Sequence, residues 1–348
     1  MNNVALPDEV FQPDFLRRPK DLERFFMQML KGGLNKQARD SVGLAAAQFV
    51  AKSLGPMMMA PDNLQIDEPT RLLIKSLQKI GYVYVNDVFS PADIAEIRRF
   101  LEAKPFTADY DDGHRPAQEM LLTQVTPDVS FGHYHVPDIC RCEPIYRVVH
   151  DPRLIRMMAR YLGAPPTIGI ISAWWSFPAA GPPAGMQNYH HDRGDFRSCN
   201  LFVYLTDVDA GSGPHAFVER THDMTTLFPV ISERFGRDPQ QFNTFWQWME
   251  QHRKKDDEIR AFFPDNEIKI HIGPAGTSFL EDTRGLHKGT RPVTGRRLAF
   301  EIFYSVMPKM NETITPIDRA SLPFADRIET RSAALDPLVR YATRQFYR

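Results

Sequence analysis

Three cysteines in 348 residues are too few for a disulfide framework, and a lone Cys140-Arg141-Cys142 lacks the remaining ligands of a structural zinc site, leaving Cys140, Cys142 and Cys199 as reduced, partly buried thiols. Excess charge of either sign is also missing. With 42 Lys and Arg against 43 Asp and Glu, the chain has no net field to draw it to nucleic acid or to an anionic membrane. No run of apolar residues approaches the length of about eighteen that a membrane span requires. Residues 1–15 lack the basic start, apolar run and small-residue cleavage site of a secretion signal, so a cytoplasmic protein is expected.

What is present is ordinary globular material. Hydrophobic residues make up 43% and charged residues 24%, enough to bury a sizeable core, and the length suits one large domain with an extension. Residues 1–70 carry helical patches at 21–30 and 38–54 and then a Gly-, Met- and Pro-rich connection at 55–61, and are expected to form a helical N-terminal extension. From 71 to 308 the pattern predicts the main domain. A short strand at 82–85 precedes Ser90-Pro91-Ala92-Asp93, an N-cap with a first-turn proline and an acid at the third position. A second helix opens at Asp151-Pro152 and stops at Gly163.

After Gly163 the period changes from helical to alternating, with strands predicted over 168–177, 201–205, 268–272, 277–280 and 297–305. Helices do not alternate regularly with these strands, which disfavours a doubly wound parallel sheet. The expected fold is mainly β, a cupin-like jelly roll with flanking helices. Residues 227–267 interrupt the strands with Phe242, Phe245 and Met249 at helical spacing. An aromatic face docked on the sandwich is expected there before a lid, and the charged run 253–258 reads as a solvated surface. Residues 309–348 are expected to be a C-terminal tail packed on the core.

The chemistry concentrates in Tyr189-His190-His191-Asp192-Arg193-Gly194-Asp195. On an extended segment residues two apart share a face, so His190 and Asp192 point together and His191 points away. His287, just beyond the strand predicted at 277–280, supplies a third donor from a neighbouring strand. Two imidazoles and a carboxylate on one side of iron(II) leave positions open for a chelating co-substrate and dioxygen. Arg296 and Arg297 then open the strand 297–305. A planar guanidinium suits a carboxylate, and only one of the two can face the interior.

Taken together these residues resemble the phytanoyl-CoA dioxygenase family of iron(II)/2-oxoglutarate-dependent oxygenases. The likeness runs from about residue 72 to 307. It rests on Gly81-Tyr82-Val83-Tyr84-Val85 with its capped helix, on 151–163, on His190-x-Asp192 followed by 201–209 and Gly213-Pro214, and on His287 with Gly295-x-Arg297. The resemblance implies a double-stranded β-helix in which His190, Asp192 and His287 bind iron and Arg297 binds 2-oxoglutarate. Thr290 and Arg296 are further candidates for co-substrate contact. It implies a dioxygenase that consumes O2 and 2-oxoglutarate, releases succinate and carbon dioxide, and oxidises, most simply by hydroxylation, a small molecule or a carrier- or thioester-bound metabolite.

Two other readings compete. One is a non-catalytic jelly-roll module that keeps a metal only to bind a ligand. The other is a cupin-type metalloenzyme built on His133 and His135, which share a face if that segment is extended and have Asp138 nearby. His215, His222 and His271 have no partner pattern and are expected to be structural. Of Trp174 and Trp175, alternation allows one to face a cavity. Arg193 and Asp195 are read as a surface ion pair or as groups orienting a polar substrate.

Overall fold

The structure is a computed structural model that describes residues 8–17, 20–55, 64–110, 114–178, 183, 185–309, 314–331 and 336–348. Apart from Gly55, the connection expected at 55–61 lies outside the described residues.

Alternation along three adjacent strands decides where the core and the site lie. In β5 (Thr167–Ser176), β7 (Ser198–Tyr204) and β13 (Arg297–Ser305), one set of alternate residues is apolar and almost fully buried: Ile171, Ala173 and Trp175, Leu201 and Val203, Leu298, Phe300 and Ile302. These pack against helices in the main hydrophobic core. The intervening set, Ser172 and Ser176, Asn200, Arg297 and Glu301 among them, is largely polar and faces the other way. The register pairs Arg297 with Ser176, and Glu301 with both Ser172 and Phe202, so polar residues meet across neighbouring strands.

These strands are the middle of an eight-stranded antiparallel sheet. β1 (Tyr82–Tyr84) and β11 (Ser278–Glu281) flank β7 on one side, and β4 (Val129–Tyr134), β2 (Phe106–Tyr110) and β3 (Gln118–Met120) continue from β5 on the other. Helices cover its outer face where the local signals place them. Ser90 and Asp93 form the capping box of Pro91–Glu102, and Pro152–Leu162 ends on Gly163 at φ 76°, a left-handed turn that glycine adopts without a Cβ penalty. Ile97, Leu101, Leu154, Ile155, Met158 and Leu162 are completely or almost completely buried, each worth about 1.5–3 kcal/mol of apolar burial. The helix Glu68–Ile80, the strands β2 to β4 and the C-terminal helix Pro337–Thr343 were not distinguished by pattern.

The second sheet has five strands in the order β10 (Ile268–His271), β8 (His215–Val218), β12 (His287–Gly289), β6 (Tyr189–His190) and β9 (Arg253–Lys254). Two antiparallel sheets with flanking helices agree with the expected jelly roll. The insertion does not arch over the interior as a lid. Its helices Met224–Phe235, Pro239–Met249 and Asp256–Phe262 bury Leu227, Ile231, Phe245, Met249 and Ile259 against Ala216, Val218 and Leu286, the outer side of the smaller sheet. The charged run is only partly solvated. Lys254 lies on the edge strand and is buried, its ammonium donating to Met249 O (3.1 Å) and lying 4.9 Å over the Trp248 ring.

The helix Lys36–Leu54 packs Ala47, Val50 and Leu54 into the main core, and its first turn reaches the other sheet's insertion through Lys36 N–H on Glu250 Oε1 (2.8 Å). No helix among the described residues is long and apolar enough to cross a membrane.

Candidate metal centre

His190 on β6 and His287 on β12 are direct cross-strand partners. Their rings lie 4.2 Å apart, centre to centre, and both residues are buried, 5% and 4% exposed. Each Nδ1–H is committed to a backbone carbonyl two residues earlier in the chain, His190 to Asn188 O (2.9 Å) and His287 to Gly285 O (3.0 Å). That commitment fixes the tautomer and leaves both Nε2 lone pairs bare. Each Nε2 stands 3.6 Å from the same oxygen, Asp192 Oδ1. Among the described residues, this is the one group of three or more His, Cys, Asp or Glu with donor atoms close enough for a single ion, all within 4.8 Å of one another.

The electrostatics favour the ligating forms. Burial first, then the neighbouring His287, pushes the His190 imidazolium down to about 3, so the ring is neutral at ordinary pH. Burial opposes charge on Asp192, but the two imidazoles and the Thr283 hydroxyl hold its carboxyl below the usual range. Asp192 N–H donates to Thr283 O (2.8 Å), which anchors the third donor to the loop before β12. Two imidazoles presenting Nε2 and a carboxylate form the donor set of an iron(II) site, and the residues present fit such an ion.

Arg297 stands on the inner face of the large sheet. It is buried, donates Nη1–H to Gly213 O and Nη2–H to Ser176 Oγ (3.3 Å), and its Nε has no hydrogen-bond partner among the described residues. No carboxylate of those residues pairs with it, and burial lowers its pKa. A Cβ on Gly289 would lie 3.1 Å from Nη2, so the glycine leaves the guanidinium its space. An unpaired buried arginine is costly unless an anion completes it.

Arg296 does not share this position. It is exposed, with Cζ 4.9 Å over the ring of Trp175, on the helix-covered side of the sheet. The strand's alternation allows one of the two arginines inside, and Arg297 is the one. Thr290 follows Gly289 with its N–H on Pro214 O (2.9 Å). It lies just past the end of β12.

The remaining residues sort as follows. His191 points away from the centre and is buried, with Nδ1 3.1 Å from Arg284 O. His133 and His135 engage separate acids, Asp109 at 3.4 Å and Glu119 at 3.1 Å, because β4 ends at Tyr134 and His135 caps a helix instead of continuing the strand. Arg193 and Asp195 form no pair with each other. Arg193 donates to Lys31 O and Glu250 O, while Asp195 accepts from the N–H groups of Phe196, Val306 and Met307. Trp174 is the inward tryptophan, packed on Phe202 and Tyr204, and Trp175 faces the helices.

Sequence reasoning passed over the polar shell behind the centre. His215 lies 5.5 Å from His287, ring to ring and nearly parallel, and is held by Glu281 at 2.8 Å. Thr283 Oγ donates to Asn200 Oδ1 (3.0 Å), and Asn200 Nδ2 donates to Glu301. Only the alternation of β7 and β13 could have pointed to Asn200 and Glu301, as polar residues on strands otherwise apolar.

A two-sheet roll with a His/Asp/His cluster on the smaller sheet and an unpaired arginine on the larger defines a jelly-roll protein with a candidate mononuclear metal centre. No protein-family model and no curated protein matches the chain. Among solved structures it is similar to AviO1 from Streptomyces viridochromogenes (16% identity, 70% of this chain and 96% of that one, TM-score 0.41). It is also similar to the non-heme alpha ketoglutarate dependent epimerase SnoN from nogalamycin biosynthesis (16%, 68% and 80%, 0.43) and to HygX from Streptomyces hygroscopicus, solved with nickel and 2-oxoglutarate (17%, 71% and 90%, 0.41).

Proposed function

We propose that the chain is an iron(II)- and 2-oxoglutarate-dependent dioxygenase acting on a small molecule, akin to the phytanoyl-CoA dioxygenase family that its motifs resemble. The observation that carries the reading is the pairing of two complementary sites on facing sheets. One is a set of three donors with their ligating atoms turned to a common point; the other is a buried guanidinium that no carboxylate of the described residues pairs with. A metal ion suits the first and a dicarboxylate the second.

In this reading His190, Asp192 and His287 hold iron(II), and Arg297, braced by Gly213 O and Ser176 Oγ, holds the distal carboxylate of 2-oxoglutarate. The bound iron and co-substrate supply the oxidising chemistry, dioxygen being consumed as 2-oxoglutarate becomes succinate and carbon dioxide. The chain's own part is to orient and to exclude water. The carbonyls of Asn188 and Gly285 keep both imidazoles aimed, the Thr283 carbonyl, accepting from Asp192 N–H, holds that residue beside them, and the wall of Phe202, Trp174 and Phe303 keeps the interior dry. Because a carboxylate stands at position 192, no ligand place is left for a halide, which supports hydroxylation over halogenation. The extension 1–70, the oxygenase unit 71–308 with its insertion 227–267, and the tail 309–348 are proposed to act as one enzyme.

Aerobic incubation of the iron(II)-loaded protein with 2-oxoglutarate tests this. Slow succinate release, abolished by His190→Ala and by His287→Ala, is expected. A binding module would hold the metal and release no succinate.

A further inference from the structure

Beyond the metal and co-substrate, one acidic side chain on the inner face forms no ion pair among the described residues, Lys309 acting on it only as a weaker, more distant attraction. Glu301 lies on β13, four residues past Arg297 and on the same face. Four residues of strand span about 13 Å, longer than the five-carbon chain of 2-oxoglutarate, so Arg297 and Glu301 are too far apart along the strand for one end of the co-substrate to engage both. It is tied instead toward the metal end. Asn200 Nδ2 donates to its Oε1 and Ser172 Oγ to its Oε2 (2.9 Å), and through Asn200 and Thr283 it is linked to Asp192. Among the described residues no arginine, lysine or histidine forms an ion pair with it.

Its neighbours on that face are aromatic. Phe202 is its cross-strand partner, Phe303 is the next inward residue on its own strand, and Trp174 lies diagonally across on β5. A carboxylate backed by two neutral donors, with aromatic residues beside it on the same face of the sheet, is an environment suited to an organic cation, since the acid supplies the charge and aromatic rings offer their negative faces. Burial, then the nearby Asp192 carboxylate, raises the Glu301 carboxyl to about 7, with Ser172, Asn200 and Lys309 acting the other way. A cation bound beside it relieves that penalty.

We propose that Glu301 is the anchor of the substrate site and that the substrate carries a primary or secondary amine, bound as its ammonium against Glu301 with Trp174, Phe202 and Phe303 around it. The inference rests on the oxygenase reading only in placing Glu301 on the substrate side of 2-oxoglutarate.

The test uses the full chain loaded with manganese(II) and 2-oxoglutarate, titrated calorimetrically at pH 8 with benzylamine and with its neutral isostere benzyl alcohol. Wild type is expected to bind benzylamine saturably and at least 10-fold tighter than benzyl alcohol. Glu301→Gln, and Glu301→Met as a second variant, are expected to lose that 10-fold preference. Equal binding of amine and alcohol by wild type, or an undiminished amine preference in both variants, overturns the proposal. The same titration on metal-free protein separates the two claims. An amine preference that depends on Glu301, in protein that takes up neither metal nor 2-oxoglutarate, keeps the amine site and sinks the oxygenase. Normal metal and co-substrate binding without amine preference does the reverse.

Discussion

A histidine is informative here only when both of its nitrogens are accounted for. His190 and His287 each spend Nδ1 on a main-chain carbonyl and turn Nε2 toward Asp192, whereas the Nδ1 of His222 has no hydrogen-bond partner among the described residues and its Nε2 meets Gln78 O at 3.1 Å, a structural contact. The same accounting distinguishes the arginines, since Arg297 is buried with an idle Nε and Arg296 is spent on Trp175. Arg297→Ala removes a charge-assisted, two-pronged contact worth about 1.5–3 kcal/mol, so 2-oxoglutarate should bind roughly 10- to 100-fold more weakly to manganese-loaded protein by calorimetry. Arg296→Ala should leave that affinity within about twofold. Equal losses in the two variants would mean that the inner arginine has been misassigned.

At the scale of elements, strands betrayed themselves through alternation and helices through caps. The boundaries of β13 and of Pro152–Leu162 follow from residues that fix them locally, Arg297 after a glycine turn in one case and Asp151-Pro152 with Gly163 in the other. The short strands were illegible for a physical reason. Two-residue β6 and β9 have no period of their own and exist because each lies against a neighbour, β6 between β12 and β9. Hence His190 and Asp192 were readable as a pair, while the position of the Arg253–Lys254 edge beside them was not. In the insertion the aromatic spacing favours a docked face over a lid, and the packing of Phe245 and Met249 on Ala216 and Val218 agrees with it. Phe245 is fully buried against the smaller sheet's outer side, so Phe245→Ala should cost about 3–5 kcal/mol and lower the thermal midpoint by several degrees. A mobile lid would lose almost nothing in the same melt.

Across the whole molecule, the helical layer and the centre are joined by buried charge. Asp282, lowered to about 2 as Arg284 outweighs burial, pairs with Arg284 at 2.5 Å and accepts from Tyr161 OH (2.6 Å). Arg284 in turn reaches Asp40 at 3.4 Å. The residues between these groups and His287 are Gly285 and Leu286, so the N-terminal helix, the layer helix and the metal loop share one network. Buried neutral histidines set its acid limit. His150, stacked on Tyr146 at 4.0 Å, is lowered by burial from 6.5 to about 3. Below pH 6.5 the unfolded chain takes up a proton that the folded chain refuses, so stability should fall as pH drops from about 6.5 toward 3. Urea melts of metal-free protein in that window should have a shallower pH dependence for His150→Phe than for wild type. An unchanged slope would remove His150 as a cause.

The central claim, that one interior brings together iron(II) and 2-oxoglutarate, is tested most directly without oxygen. Anaerobic protein loaded with iron(II) should develop the weak visible metal-to-ligand charge-transfer band when 2-oxoglutarate is added. The band should be absent in His190→Ala and should require far more co-substrate in Arg297→Ala. Wild-type protein that binds iron(II) at this cluster and yet gives no band with saturating 2-oxoglutarate would contradict the account.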